Sequence, residues 1–169
     1  MFFHDAFRRY GMPLTLVGLF LPLQAAGAVE SRVVTVHHAT VAMTTIPVNR
    51  NGGPASLGDV RVANAVLTDR AGVRIGELHG TLTTTAIDTP GPGDEIRQSN
   101  LVFQIGRPQD QIVVGGESAY PASSSTIARA TTTIRSILGG SGRYAGARGT
   151  ARTDHFADGT WKHVFRLMP

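Results

Sequence analysis

From Val33 onward the chain is a succession of short runs rich in Val, Thr and Ile, separated by clusters of Gly, Pro, Asp and Asn. β-Branched residues suit a pleated, half-buried surface, and no stretch keeps a helical period, so the pattern predicts strands throughout. Eight are expected: Arg32 to Thr45, Asp59 to Leu67, Val73 to Ala86, Ile96 to Ile105, Gln111 to Glu117, Thr126 to Leu138, Tyr144 to His155 and Trp161 to Leu167. Asn49 to Pro54 and Thr89 to Asp94 place Pro and Gly where a ladder cannot continue, while Asp69 to Gly72 and Ala157 to Gly159 are short enough for hairpins. Short connections favour antiparallel neighbours. Eight antiparallel strands without helices lose their exposed edges by closing into a barrel, with a sandwich as the alternative. A barrel of that size either holds one small ligand or is filled by its own side chains.

The stretch Gly139 to Gly149 carries five glycines in eleven residues, with Tyr144 and Arg148 between them. It reads as a tight turn feeding a strand whose backbone neighbours approach closely. A bulge there could re-aim Arg148.

Arg8 and Arg9, the apolar run Met12 to Leu23 and the small residues Ala26-Gly27-Ala28 form a secretory signal pattern, so cleavage after Ala28 and export to the periplasm or the medium are expected. A retained anchor fits less well, because the run is short and contains Pro13 and Pro22. Removing 28 of 169 residues leaves 141, enough for one domain with one core and no membrane span. There are 0 cysteines, so neither a disulfide nor a thiol nucleophile is available. The 16 basic residues outnumber the 12 acidic ones, but the arginines are scattered singly and not interleaved with aromatics, which argues against nucleic-acid binding. A carboxylate-bearing ligand suits such arginines, whose planar fork matches a carboxylate.

In the last strand Trp161, His163, Phe165 and Leu167 share one face, and alternation puts that aromatic face inward. His163 is then either a proton donor to a ligand or a satisfied core histidine. His37 and His38 are adjacent on a strand, so at most one reaches the interior, and two ligands for a metal on one face are not expected from them.

The ordered motifs resemble the allene oxide cyclase and dirigent protein barrels. They are Gly58-Asp59-Val60, Val66-Leu67-Thr68, Ile75-Gly76 with Gly80, Leu101 to Gly106, Gly139 to Gly142 with Tyr144, Gly146 and Ala147-Arg148-Gly149, and the closing His163 to Leu167. The resemblance runs from about Val33 to Leu167. It implies an eight-stranded antiparallel barrel, often a homotrimer, whose apolar cavity steers cyclisation, isomerisation or coupling of a small reactive molecule without a cofactor. Arg148 matches the Arg of the dirigent Ala-Arg-Gly motif and would hold a substrate oxygen. His38 takes the place of the Asp in the dirigent first-strand pair.

The chain departs from both catalytic sets. Ala65 stands where dirigent proteins carry an acidic Asp and the cyclase a water-holding Asn, so Asn64 serves only if the register slips by one. Leu82 replaces the cyclase's cavity Cys and Ser118 its Tyr, with Tyr120 close by on the same parity as a cavity hydroxyl. The expectation is therefore an exported barrel that binds a small, apolar, oxygenated molecule and steers its cyclisation or isomerisation, with Arg148, His38, His163, Asn64 and Tyr120 as candidate catalytic residues. A non-catalytic lipocalin-like carrier or dirigent-type guide, and a surface interaction module, are the rival readings.

Overall fold

The structure, a computed structural model, describes residues 31–49 and 55–168; the segment expected to be cleaved lies outside them. Nine strands follow in order: β1 (Arg32–His38), β2 (Ala42–Ile46), β3 (Val60–Thr68), β4 (Arg74–Ile87), β5 (Asp94–Ile105), β6 (Gln111–Pro121), β7 (Thr131–Ser141), β8 (Gly149–His155) and β9 (Trp161–Leu167). Every pairing is antiparallel, and from β3 to β9 each strand pairs with the next in sequence. β1 lies along β9 from Arg32↔Leu167 to His38↔Trp161, and β2 lies along β3 from Ala42↔Asn64 to Ile46↔Val60. His37 also pairs with Thr68, which closes the wall.

β1 and β2 thus share one position between β9 and β3, and the result is the expected closed barrel of eight positions. The single strand expected over Arg32 to Thr45 is two strands, because the chain bends at residues 39–41 to leave β9 and join β3. Other boundaries move for local reasons. β7 starts at Thr131 and not Thr126, since Ala130 has a positive φ of 57° and Ile127 tucks inside. β8 starts at Gly149 because Tyr144 belongs to a 3-10 turn, Gly142–Tyr144. The close backbone approach read from the glycines is present: a Cβ at Gly140 would land on the carbonyls of Tyr144 and Gln111. No helix among the described residues is long and apolar enough to cross a membrane.

Alternation sends one residue in two to the interior. On β5 those are Glu95, Arg97, Ser99, Leu101, Phe103 and Ile105; on β3 they are Arg61, Ala63, Ala65 and Leu67. Each inward row is therefore polar in one half of the barrel and apolar in the other. The apolar half is filled by Leu67, Phe103, Ile105, Ile112, Phe165 and their neighbours, with Phe103 and Phe165 meeting edge to face at 4.8 Å between centroids. In the polar half, Arg61 and Arg97 share Glu95 at 3.2 and 3.0 Å, and Thr84 donates to the same carboxylate at 3.0 Å. Arg97 also donates to the carbonyls of Ser124 and Ser125, tying the loop before β7 to the barrel. What remains between the two halves is the candidate site.

Candidate functional site

The apolar filling stops short of the middle of the barrel, where a cavity of about 60 Å³ remains. Its walls are mostly apolar, from Ala63, Leu78, Leu82, Leu101, Ile127 and Trp161, with Val41 and Met43 contributed by the bend after β1 and by β2. Such a space exceeds what one water needs and falls well below the several hundred Å³ typical of whole drug-sized ligands. It accepts a slender or flat group as it stands. A bulkier one requires side chains to move, and unbranched Met43 is the adaptable member of the wall.

Two polar groups project into this cavity. The first is a histidine pair. Inward parity on β1 selects His38 over His37, and inward parity on β9 selects His163. The two rings meet head to head, with Nε2 to Nε2 at 3.1 Å. Thr40 can offer His38 Nδ1 only a carbonyl, at 3.1 Å, so Nδ1 carries the proton. In a neutral ring Nε2 of His38 must then accept from Nε2–H of His163, and Nδ1 of His163 accepts from the Thr153 hydroxyl at 2.9 Å. A directed relay results, from Thr153 through His163 and His38 to the Thr40 carbonyl. Burial pushes His38 down to about 4 from the usual histidine value of 6.5. Burial also holds His163 well below that value, with the charges of His38 and Arg135 adding to the effect. Both rings are neutral near pH 7. Trp161 stacks between His155, at 3.8 Å between centroids, and His38, at 5.4 Å, and so fixes the ring edge of the pair.

The second group is Arg135 with Tyr120. Arg135 projects inward from β7 between the outward Ile134 and Ser136 and is 6% exposed. It donates to the Tyr120 hydroxyl at 2.8 Å and to the Thr133 hydroxyl at 2.7 Å. The guanidinium of Arg97 lies 4.6 Å over the Tyr120 ring, so that ring is held by cations at its face and at its oxygen.

Of the five residues expected to act, His38, His163 and Tyr120 line this one cavity. Arg148 does not: it is exposed just before β8, because Ala147 turns into the core and the next residue must face out. Asn64 is also exposed, since β3 keeps the register that points Ala63 and Ala65 inward and no slip occurs. Leu82 does line the cavity, whereas Ser118 borders a separate groove. Arg135 and Thr153 were missed. In β7 the apolar Ile134 and Leu138 face outward, at 67% and 65% exposure, so the local pattern argues for the wrong face. The only available signal was that Arg135 shares parity with Ile137.

Fold and site together define a small closed antiparallel barrel with a mostly apolar interior cavity carrying a few buried polar groups. Solved structures with this fold are similar to this chain. A pyocyanin demethylase aligns with a TM-score of 0.59 and 18% identity, covering 81% of this chain and 100% of that one. The Diels–Alderase AbmU from Streptomyces koyangensis aligns with a TM-score of 0.58 and 21% identity, covering 95% and 84%. A heme-binding cyclase described as catalysing a [4 + 2] cycloaddition in neoabyssomicin biosynthesis gives 0.58 and 19%, covering 83% and 69%. No protein-family model matches the chain, and no curated protein matches it in sequence. At these identities the likeness establishes the fold.

Proposed function

We propose that this barrel binds a small, apolar, oxygenated molecule in its central cavity and steers its cyclisation or isomerisation. The observation that carries the reading is the convergence of the His38–His163 pair and the Arg135–Tyr120 pair on one mostly apolar cavity. Depressed proton affinity in a pair of facing acid–base groups is the mark of a working site more often than of a carrier's smooth lining. The barrel cyclases among the structural neighbours support it, as does the motif resemblance to allene oxide cyclase and dirigent barrels.

In this reading the walls select one folded conformer and exclude water, which lowers the entropic part of the barrier. A proton leaving one substrate atom passes to the Thr153 oxygen as the Thr153 proton moves to His163 Nδ1 and the His163 proton moves to His38 Nε2, which makes His38 a transient imidazolium opposite the substrate anion. The reverse transfer delivers a proton to a second substrate atom, so atoms and electrons are conserved and no redox partner takes part. Arg135 and Tyr120 hold the substrate oxygen on which charge builds. Export with loss of residues 1–28, and a homotrimeric assembly, belong to the same proposal. Native mass spectrometry of the protein from its source tests both, through a chain starting at Val29 and through the assembly mass.

The same spectrum reports a co-purifying molecule. Once that molecule provides a substrate, His163→Gln is expected to lower turnover by about 10²-fold or more, the usual worth of a positioned acid–base group. Unchanged turnover in that variant would falsify the relay.

A further inference from the structure

We infer that the molecule taken by this cavity is an organic anion, a carboxylate or an enolate, and that its oxygen is held by the Arg135 guanidinium. The inference rests on the cavity being a ligand site and adds the chemical class of the ligand. Three observations support it.

First, Arg135 is buried, lines the cavity, and its Nε has no hydrogen-bond partner among the described residues. A buried charged donor left unsatisfied is costly, and native interiors rarely leave one so without a functional reason. Second, the two partners it does have, Tyr120 and Thr133, are neutral hydroxyls. Among the described residues no carboxylate forms an ion pair with Arg135, while the other two interior guanidiniums, Arg61 and Arg97, pair with Glu95, and the buried Asp59 carboxylate also acts on Arg61. The interior therefore carries more positive charge than its own carboxylates balance, and a buried cation is ordinarily paired. Third, the remaining wall is apolar. An anionic head against Arg135 with a hydrocarbon or aromatic body against that wall satisfies both parts of the cavity.

Benzoate and benzyl alcohol match closely in shape and differ in charge, which makes them suitable probes. Titration of the full-length protein by calorimetry at pH 7 should show benzoate binding at least about tenfold more tightly than benzyl alcohol, the worth of one charge-assisted hydrogen bond. Arg135→Met should remove that preference, since it takes away the charge and keeps the apolar wall. Arg148→Met should keep the preference. In the unmodified protein the ¹⁵N resonance of Arg135 Nε should shift with benzoate and not with benzyl alcohol, a readout that needs no variant to fold. Equal binding of the two probes, or a preference surviving in Arg135→Met, overturns the inference while leaving the cavity as a ligand site. Failure of both probes to bind overturns the ligand-site reading and the inference with it.

Discussion

At the scale of single residues, the histidine pair couples the site to stability. An unfolded histidine takes up a proton near 6.5, whereas folded His38 resists it down to about 4. Between those values the unfolded chain binds more protons, so stability rises with pH across that window and is lost as pH falls through it. His38 alone accounts for roughly 3 kcal/mol of this slope, and His163 acts in the same direction. Urea midpoints at pH 7 and pH 4.5 measure it, and His38→Gln should flatten the difference; a flat profile in the unmodified protein would mean that the rings are charged in the fold. Arg97 is a second single residue with a large effect. Its replacement by Met leaves Glu95 with one cation and releases the loop carbonyls, so a loss of about 3–5 kcal/mol is expected by chemical denaturation.

Elements differ in how openly their sequences declare them. β9 alternates aromatic and polar residues, and its inward face follows from period two alone. β5 changes character partway, from Glu95, Arg97 and Ser99 to Leu101, Phe103 and Ile105 on the same face. Read locally, its first half looks solvated; in the barrel it forms a buried ionic layer, because the partners Arg61 and Thr84 arrive from β3 and β4. β7 inverts the usual pattern in part, with Arg135 inward beside Ile137 while Ile134 and Leu138 face out. The glycine-rich entry to β8, by contrast, was visible as a geometric demand: Gly149 has a φ of 135°, and a Cβ there would strike the Arg166 carbonyl on β9. Gly149→Ala should therefore break the β8–β9 pairing and cost several kcal/mol in thermal unfolding, far more than Gly72→Ala, which meets nothing within 4 Å although its φ is also positive. Comparable losses at the two positions would contradict this account.

Considered whole, the molecule is a closed wall around an interior that side chains fill on both sides of one cavity of about 60 Å³, and the proposed function depends on that cavity. Ala63→Leu adds side-chain volume to the cavity from a position already 4% exposed. Binding of small probes should be abolished while the fold is retained at a cost of about 1–3 kcal/mol, the usual cost of overpacking; undiminished binding in a folded variant would place the ligand elsewhere. From the sequence alone follow the strand content, the antiparallel connectivity, the close-approach glycines and the inward aromatic face of β9, all properties of neighbouring residues along one chain. Only the tertiary structure decided that His38 meets His163 head to head, that Arg135 replaces Arg148 in the interior, and that Asn64 stays outside. Those outcomes depend on strand register and on closure across the barrel, where residues far apart in sequence come into contact and local periodicity carries no information about which will meet.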